Sequence, residues 1–295
     1  MITVSDSPTT RALSTTTAPS EPPASSVVPA LRIENLSIRY GSAPRPAIVD
    51  FSMTVPHGAS VALVGESGSG KSTVLRSIIG MLPRTATIES GSMSFYDLDL
   101  LTLDEKGFSQ VRGSRIGYVY QDPGRSFNPN RRLGPQVARV LRYARPDMDK
   151  KARNDEVVRI LDRVGLDGSV VRERYPFQLS GGELQRVLIA TACMSGRPQL
   201  LVADEPTTSL DVTIEAEILE LLRQIRSELE LTLLLVTHDL GVVNELCDSA
   251  VILDKGVVVE AGTVADVLGS PQHPYTQALI SSIPKLPDAA GGHHE

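Results

Sequence analysis

Residues 65–72 read Gly65-Glu66-Ser67-Gly68-Ser69-Gly70-Lys71-Ser72. Before them, Ser60 to Val64 form a short apolar run of strand character. After them, Val74, Leu75, Ile78 and Ile79 share one face of a helix that begins around Lys71, and Gly80 supplies its stop. A glycine-rich loop between a buried strand and a helix is the context required by the phosphate-binding pattern GxxxxGK[ST]. Glycines let backbone N–H groups converge on phosphate oxygens where side chains would block approach. The helix N-terminus adds partial positive charge. In this reading Lys71 reaches the β- and γ-phosphates and the Ser72 hydroxyl binds Mg²⁺. A tight Gly/Ser turn is the alternative, and the strand–loop–helix setting disfavours it.

Further along, Leu200-Leu201-Val202-Ala203-Asp204-Glu205 is an apolar strand that ends in two carboxylates. Ligands of open α/β sheets bind at such strand ends. Asp204 is the candidate Mg²⁺ residue and Glu205 the group that polarises an attacking water. Two acids opening a loop before Pro206 would carry no chemistry by themselves; the phosphate loop gives them a partner. These two motifs fit kinases, GTPases, helicases and transporters alike. Leu179-Ser180-Gly181-Gly182-Glu183 narrows the choice. A hydroxyl and glycine N–H groups at a helix start make a second anion site.

With Leu184-Gln185-Arg186 following it, this LSGGE stretch resembles the signature of ABC ATPases. The resemblance covers about Leu31 to Leu286. It implies an α/β fold: a P-loop NTPase (RecA-like) core with an antiparallel β subdomain and an inserted α-helical subdomain. It also implies an ATPase with ATP and Mg²⁺ as ligands. Gln121, after the strand Ile116 to Tyr120, resembles the Q-loop glutamine, a metal and water contact that senses the permease. Ser209-Leu210-Asp211 resembles the D-loop, which crosses a dimer interface, and His238 the switch histidine at the γ-phosphate. Tyr40 sits where the family stacks an aromatic on adenine, and Thr73 completes the phosphate-binding set. In the family, Ser180, Gly181, Gly182 and Glu183 cap the γ-phosphate held by the other subunit of a head-to-tail dimer.

Several stretches look like the dipeptide, oligopeptide and nickel importers. They are Gln121-Asp122-Pro123 through Ser126-Phe127-Asn128-Pro129, the run from Ala203 to Ile214, and His273-Pro274-Tyr275-Thr276-Gln277-Ala278-Leu279. The last is a subfamily marker whose physical role the sequence does not disclose. The implied assembly joins this chain to a second ABC ATPase subunit, a paralogue or itself. Two transmembrane permease subunits and, indirectly, an extracytoplasmic solute-binding protein complete it at the cytoplasmic face of the cell membrane. Many relatives carry a cysteine cluster after the marker. This chain has no cysteine after Cys247, so no iron–sulfur centre is expected.

Composition agrees with a globular protein of one large domain or two small ones: 295 residues, 41% hydrophobic and 22% charged. A net charge of −6 argues against a broad nucleic-acid surface. That weighs against a non-transport ABC ATPase acting on DNA or ribosomes. A regulatory nucleotide binder would be expected to lack Glu205 or His238, and export is disfavoured by the separate chain and the 273–279 marker. Cys193 and Cys247 lack metal-site spacing and are expected to be inert thiols. No apolar run is long enough to cross a bilayer. Residues 1 to about 30, rich in Ser, Thr, Pro and Ala, are expected to be a disordered tail. The ATPase domain then runs from 31 to 286, with a helical part at about 122 to 195 and a C-terminal tail at 287 to 295.

Overall fold

The structure is a computed structural model that describes residues 28–208 and 210–282. Most of the expected N-terminal tail and the whole of 287–295 lie outside them. The tail boundary moves slightly: Ala30 is buried, and its carbonyl accepts the Tyr96 N–H at 3.0 Å.

In chain order, the first half runs β1 (Leu31–Tyr40), β2 (Ile48–Val55), β3 (Ser60–Val64), α1 (Lys71–Ile78), β4 (Ala86–Phe95), β5 (Leu98–Asp99), α2 (Glu105–Val111) and β6 (Ile116–Val119). A helical stretch follows: α3 (Pro123–Ser126), α4 (Leu133–Ala144), α5 (Lys150–Asp162), α6 (Gly168–Val171) and α7 (Gly181–Met194). The chain ends with β7 (Leu200–Asp204), α8 (Val212–Leu229), β8 (Thr232–Thr237), α9 (Leu240–Leu246), β9 (Ser249–Asp254), β10 (Val257–Thr263), α10 (Val264–Gly269) and α11 (Pro274–Ser281).

Two sheets organise these elements. One is antiparallel, in the order β2-β1-β4-β5. The other has the order β10-β9-β3-β8-β7-β6, parallel from β9 to β6, with β10 as an antiparallel edge. Its central strands are short, continuous apolar runs because both faces are covered. Alternate side chains part to opposite sides. Leu200, Val202, Leu234 and Val236 pack towards α1 and the antiparallel sheet. Leu201, Ala203, Leu233 and Leu235 pack towards α7 and α8. That second cluster continues into Leu133, Val137, Leu141, Val157 and Leu161, so α4 and α5 share their core with the sheet. A third cluster sets α9, α10 and α11 on Ala62, Val64, Ala250 and Ile252.

Local chemistry sets the helix starts. Asp149, Asp167, Asp211, Asp239 and Thr263 each cap a helix with a side-chain oxygen. Cys193 is buried and Cys247 half-buried, and burial pushes both thiols up to about 12, away from reactive thiolate. Among the described residues, no helix is long and apolar enough to cross a membrane.

Candidate active site

Strand register builds the site. Val64 lies beside Thr237, Asp204 beside Val236, and Val119 beside Ala203. Four parallel strands therefore end on one line, and the loops leaving them carry Gly65–Ser72, Gln121, Glu205 and His238. A cavity of about 890 Å³ opens there. Its lining includes Lys71, Ser72, Gln121, Asp204, Glu205 and His238. That volume falls within the usual range for small-molecule sites, about 300–1,000 Å³.

The glycine-rich loop is held close to its neighbours. A Cβ on Gly65 would stand 2.2 Å from the Leu253 carbonyl oxygen, a backbone atom that cannot move aside. Gly70, at φ 114°, adopts the left-handed conformation that opens α1. The Ser69 hydroxyl is buried and has no hydrogen-bond partner among the described residues. Lys71 is buried, its ammonium donating to the Gly65 and Glu66 carbonyls at 2.6 and 2.9 Å. Burial lowers its pKa, and the charges of Glu205, Asp204 and Glu66 oppose that shift. A buried ammonium and an orphaned hydroxyl in a cradle of backbone amides suit an anionic ligand.

Opposite stand the two carboxylates. Burial, reinforced by the nearby charge of Glu205, raises the pKa of Asp204; a hydrogen bond from the Tyr118 hydroxyl at 3.0 Å opposes the rise. Glu205 sits at φ 45°. This is a left-handed conformation that costs a non-glycine residue such as glutamate on the order of 1 kcal/mol, because its Cβ crowds the following carbonyl. Three side chains hold its carboxylate. Gln121 Nε2 donates to Oε2 at 2.9 Å, Thr208 Oγ1 donates to Oε2 at 2.9 Å, and His238 Nδ1 lies 3.2 Å from Oε1. The donor set of Ser72, Asp204 and Gln121 is oxygen-rich and suits a hard divalent cation. The Gln121 amide nitrogen is engaged by Glu205, leaving its oxygen available.

Other sequence candidates fall elsewhere. Ser180, Gly181, Gly182 and Glu183 do not line this cavity, and Ser180 and Gly181 are exposed. Ser180 caps α7: its oxygen accepts the Glu183 N–H at 3.2 Å, while the Glu183 carboxylate accepts the Ser180 N–H at 2.8 Å. That amide holds Glu183 below the usual carboxylate range. A serine hydroxyl that accepts in a cap still has its own proton to donate. Buried Gln185, one turn on, ties α7 to the loop after Glu205 by donating to the Pro206 carbonyl at 2.7 Å. Asp211 caps α8 outside the cavity, and Ser209 lies outside the described residues. Tyr40 is also off the lining; its hydroxyl is hydrogen-bonded to Thr73 Oγ1 at 3.0 Å.

Sequence reasoning missed Tyr118, and it quoted Thr208 and Tyr275 within longer motifs without giving either a contact: Thr208 holds Glu205, and Tyr275 accepts the Glu66 N–H. Tyr118 is the penultimate residue of its strand, beside Val202 in register. No motif marks it, and only the β6–β7 pairing brings it to Asp204.

Residues 48–208 match the family described as ABC transporter, and residues 259–294 match the region described as oligopeptide/dipeptide transporter, C-terminal region. The chain belongs to the ABC transporter family. It is 40% identical over 259 residues to the dipeptide transport ATP-binding protein DppD of Haemophilus influenzae, covering 87% of this chain and 78% of that protein. It is 41% identical over 260 residues to the oligopeptide transport ATP-binding protein AppD of Bacillus subtilis, covering 87% and 79%. Among solved structures it resembles the dimeric post-hydrolysis state of the ATP-binding cassette MJ0796 bound to ADP and Pi. That likeness has a TM-score of 0.70 at 26% identity, over 79% of this chain and 98% of that one. The cassette cbiO1 of Clostridium perfringens also gives a TM-score of 0.70, at 27% identity over 82% and 91%. This ABC chain is thus an ATPase.

Proposed function

We propose that this chain powers peptide import as one of two ATPase subunits attached to the cytoplasmic face of a membrane permease pair. One observation carries the reading. Lys71, Asp204, Glu205, Gln121 and His238 converge on a single cavity, while Ser180 and Gly181 point to solvent away from it. A chain with half a site on each of two surfaces is completed by a second chain placed head to tail. Peptides as cargo are supported by the match of residues 259–294 to the oligopeptide/dipeptide region and by the names of the relatives.

In this mechanism the P-loop amides and Lys71 hold the triphosphate, and Ser180 with the glycine N–H groups of the partner subunit closes over the γ-phosphate. The adenine is assigned to Tyr40, which is tethered beside α1 through Thr73. Ser72, Asp204 and Gln121 would hold Mg²⁺, which neutralises developing charge on the phosphates when bound. Glu205 and His238 orient a water for in-line attack on the γ-phosphorus. The bond from phosphorus to the bridging oxygen breaks, ADP leaves, and Glu205 takes the water's proton. Catalysis is mainly positioning and charge stabilisation. Gln121 reports the state of the site to the permease through the loop that continues into α3. Asp211, with Leu210, faces the partner subunit.

The test reconstitutes the transporter with and without Lys71→Ala in this chain. We expect peptide-stimulated hydrolysis and uptake to be lost together. Uptake that persists without hydrolysis at this chain's P-loop would contradict its role as a motor.

A further inference from the structure

Residues 273–279 stand out in the sequence without a role, and the structure places them against the nucleotide loop. The Glu66 N–H donates to the Tyr275 hydroxyl at 3.1 Å. The Glu66 carbonyl meanwhile accepts from Lys71 at 2.9 Å. The two peptide groups of Glu66 are thus each held, one by the lysine assigned to phosphate and one by α11. Leu279 and Ser282 lie four and seven residues beyond Tyr275, on the same helical face. Both line the 890 Å³ cavity.

The helix is firmly seated. The Glu260 carboxylate accepts the N–H groups of Gln272 and His273 at 2.8 and 3.1 Å. His273 Nδ1 caps the Tyr275 N–H at 3.2 Å, and Pro274 opens the helix. Thr276 is fully buried, and Tyr275, Leu279 and Ile280 pack on the cluster containing Val64, the residue before the P-loop.

We propose that α11 is a fixed wall of the nucleotide pocket, in which Tyr275 positions the P-loop backbone at Glu66 and the Leu279–Ser282 face lies beside the bound nucleotide. This rests on the cavity being the ATP site. When Lys71 turns from the Glu66 carbonyl to phosphate, Tyr275 still holds that residue through its amide, so the loop keeps its binding shape. The C-terminal region thereby acts on nucleotide affinity from within the chain.

The experiment titrates the full chain with a non-hydrolysable ATP analogue and Mg²⁺ and follows nucleotide-free melting in parallel. Tyr275→Phe keeps the ring and removes the acceptor. We expect about a fivefold weaker affinity, because the freed Glu66 amide leaves the empty loop to sample other shapes, and nucleotide-free melting lowered by no more than one neutral hydrogen bond. Ser282 is exposed, so its substitution spares the fold. Ser282→Glu should weaken and Ser282→Lys strengthen binding, each about twofold at low salt and less at high salt. A purely structural helix would show no such dependence on charge sign. Wild-type affinity in Tyr275→Phe, or equal affinities in the two Ser282 variants, would overturn the inference. Lys71→Ala is the control for the cavity itself: undiminished binding there would remove the ATP site from this cavity, an outcome distinct from failure of α11 alone.

Discussion

Glu205 is the residue on which Gln121, Thr208 and His238 converge, and it is held in a backbone conformation it would not choose. Strain of this kind persists where surrounding contacts over-determine it. Glu205→Gln keeps the shape and removes the base. We expect turnover to fall at least 100-fold, with nucleotide-dependent dimers accumulating, read by steady-state hydrolysis and size-exclusion chromatography. Asp204 leads to a second expectation. Its pKa is raised in the folded state, so the native protein binds a proton more readily than the unfolded chain. Stability from this group is therefore present at low pH and is lost as pH rises through the folded pKa. In nucleotide-free protein, Asp204→Asn should melt higher at neutral pH while losing Mg²⁺-dependent hydrolysis. A lower melting temperature would show that the carboxylate is not the burden its burial implies.

Among the elements, α7 joins stability to function at one serine. Ser180→Ala removes the cap of a helix whose body is almost wholly buried, an expected loss of about 1 kcal/mol by denaturant melts. Hydrolysis should fall further than that loss explains, because the same hydroxyl is assigned to the partner subunit's γ-phosphate. Helix α8 carries a local signature: Asp211 caps it, and Ile218, Leu219, Leu222 and Ile225 recur at helical spacing. β4 is not readable. Six successive residues, Thr87 to Ser92, are exposed, so no alternation marks them. Their partner is β1, some fifty residues earlier, and a pairing that distant leaves no local signal. The motifs were legible because each carries its chemistry locally. The contacts of Tyr118 and Tyr275 arise from tertiary packing and could not be read, whereas Thr208 reaches Glu205 from three residues on, within the turn that follows the strand.

At the scale of the whole molecule, the proposed site is split: one line of strand ends collects Lys71, Asp204, Glu205 and His238, and the start of α7 leaves Ser180 and Gly181 exposed. A lone subunit should therefore hydrolyse ATP slowly, with a rate per chain that rises with protein concentration. Mixing chains that carry only Lys71→Ala with chains that carry only Ser180→Ala should restore one intact composite site. The decisive measurement is the structure of the nucleotide-loaded Glu205→Gln assembly. The Ser180 hydroxyl and the Gly182 amide should lie about 3 Å from a γ-phosphate oxygen gripped by the partner subunit's P-loop. Residues 180–182 turned away from every bound γ-phosphate would contradict the composite site.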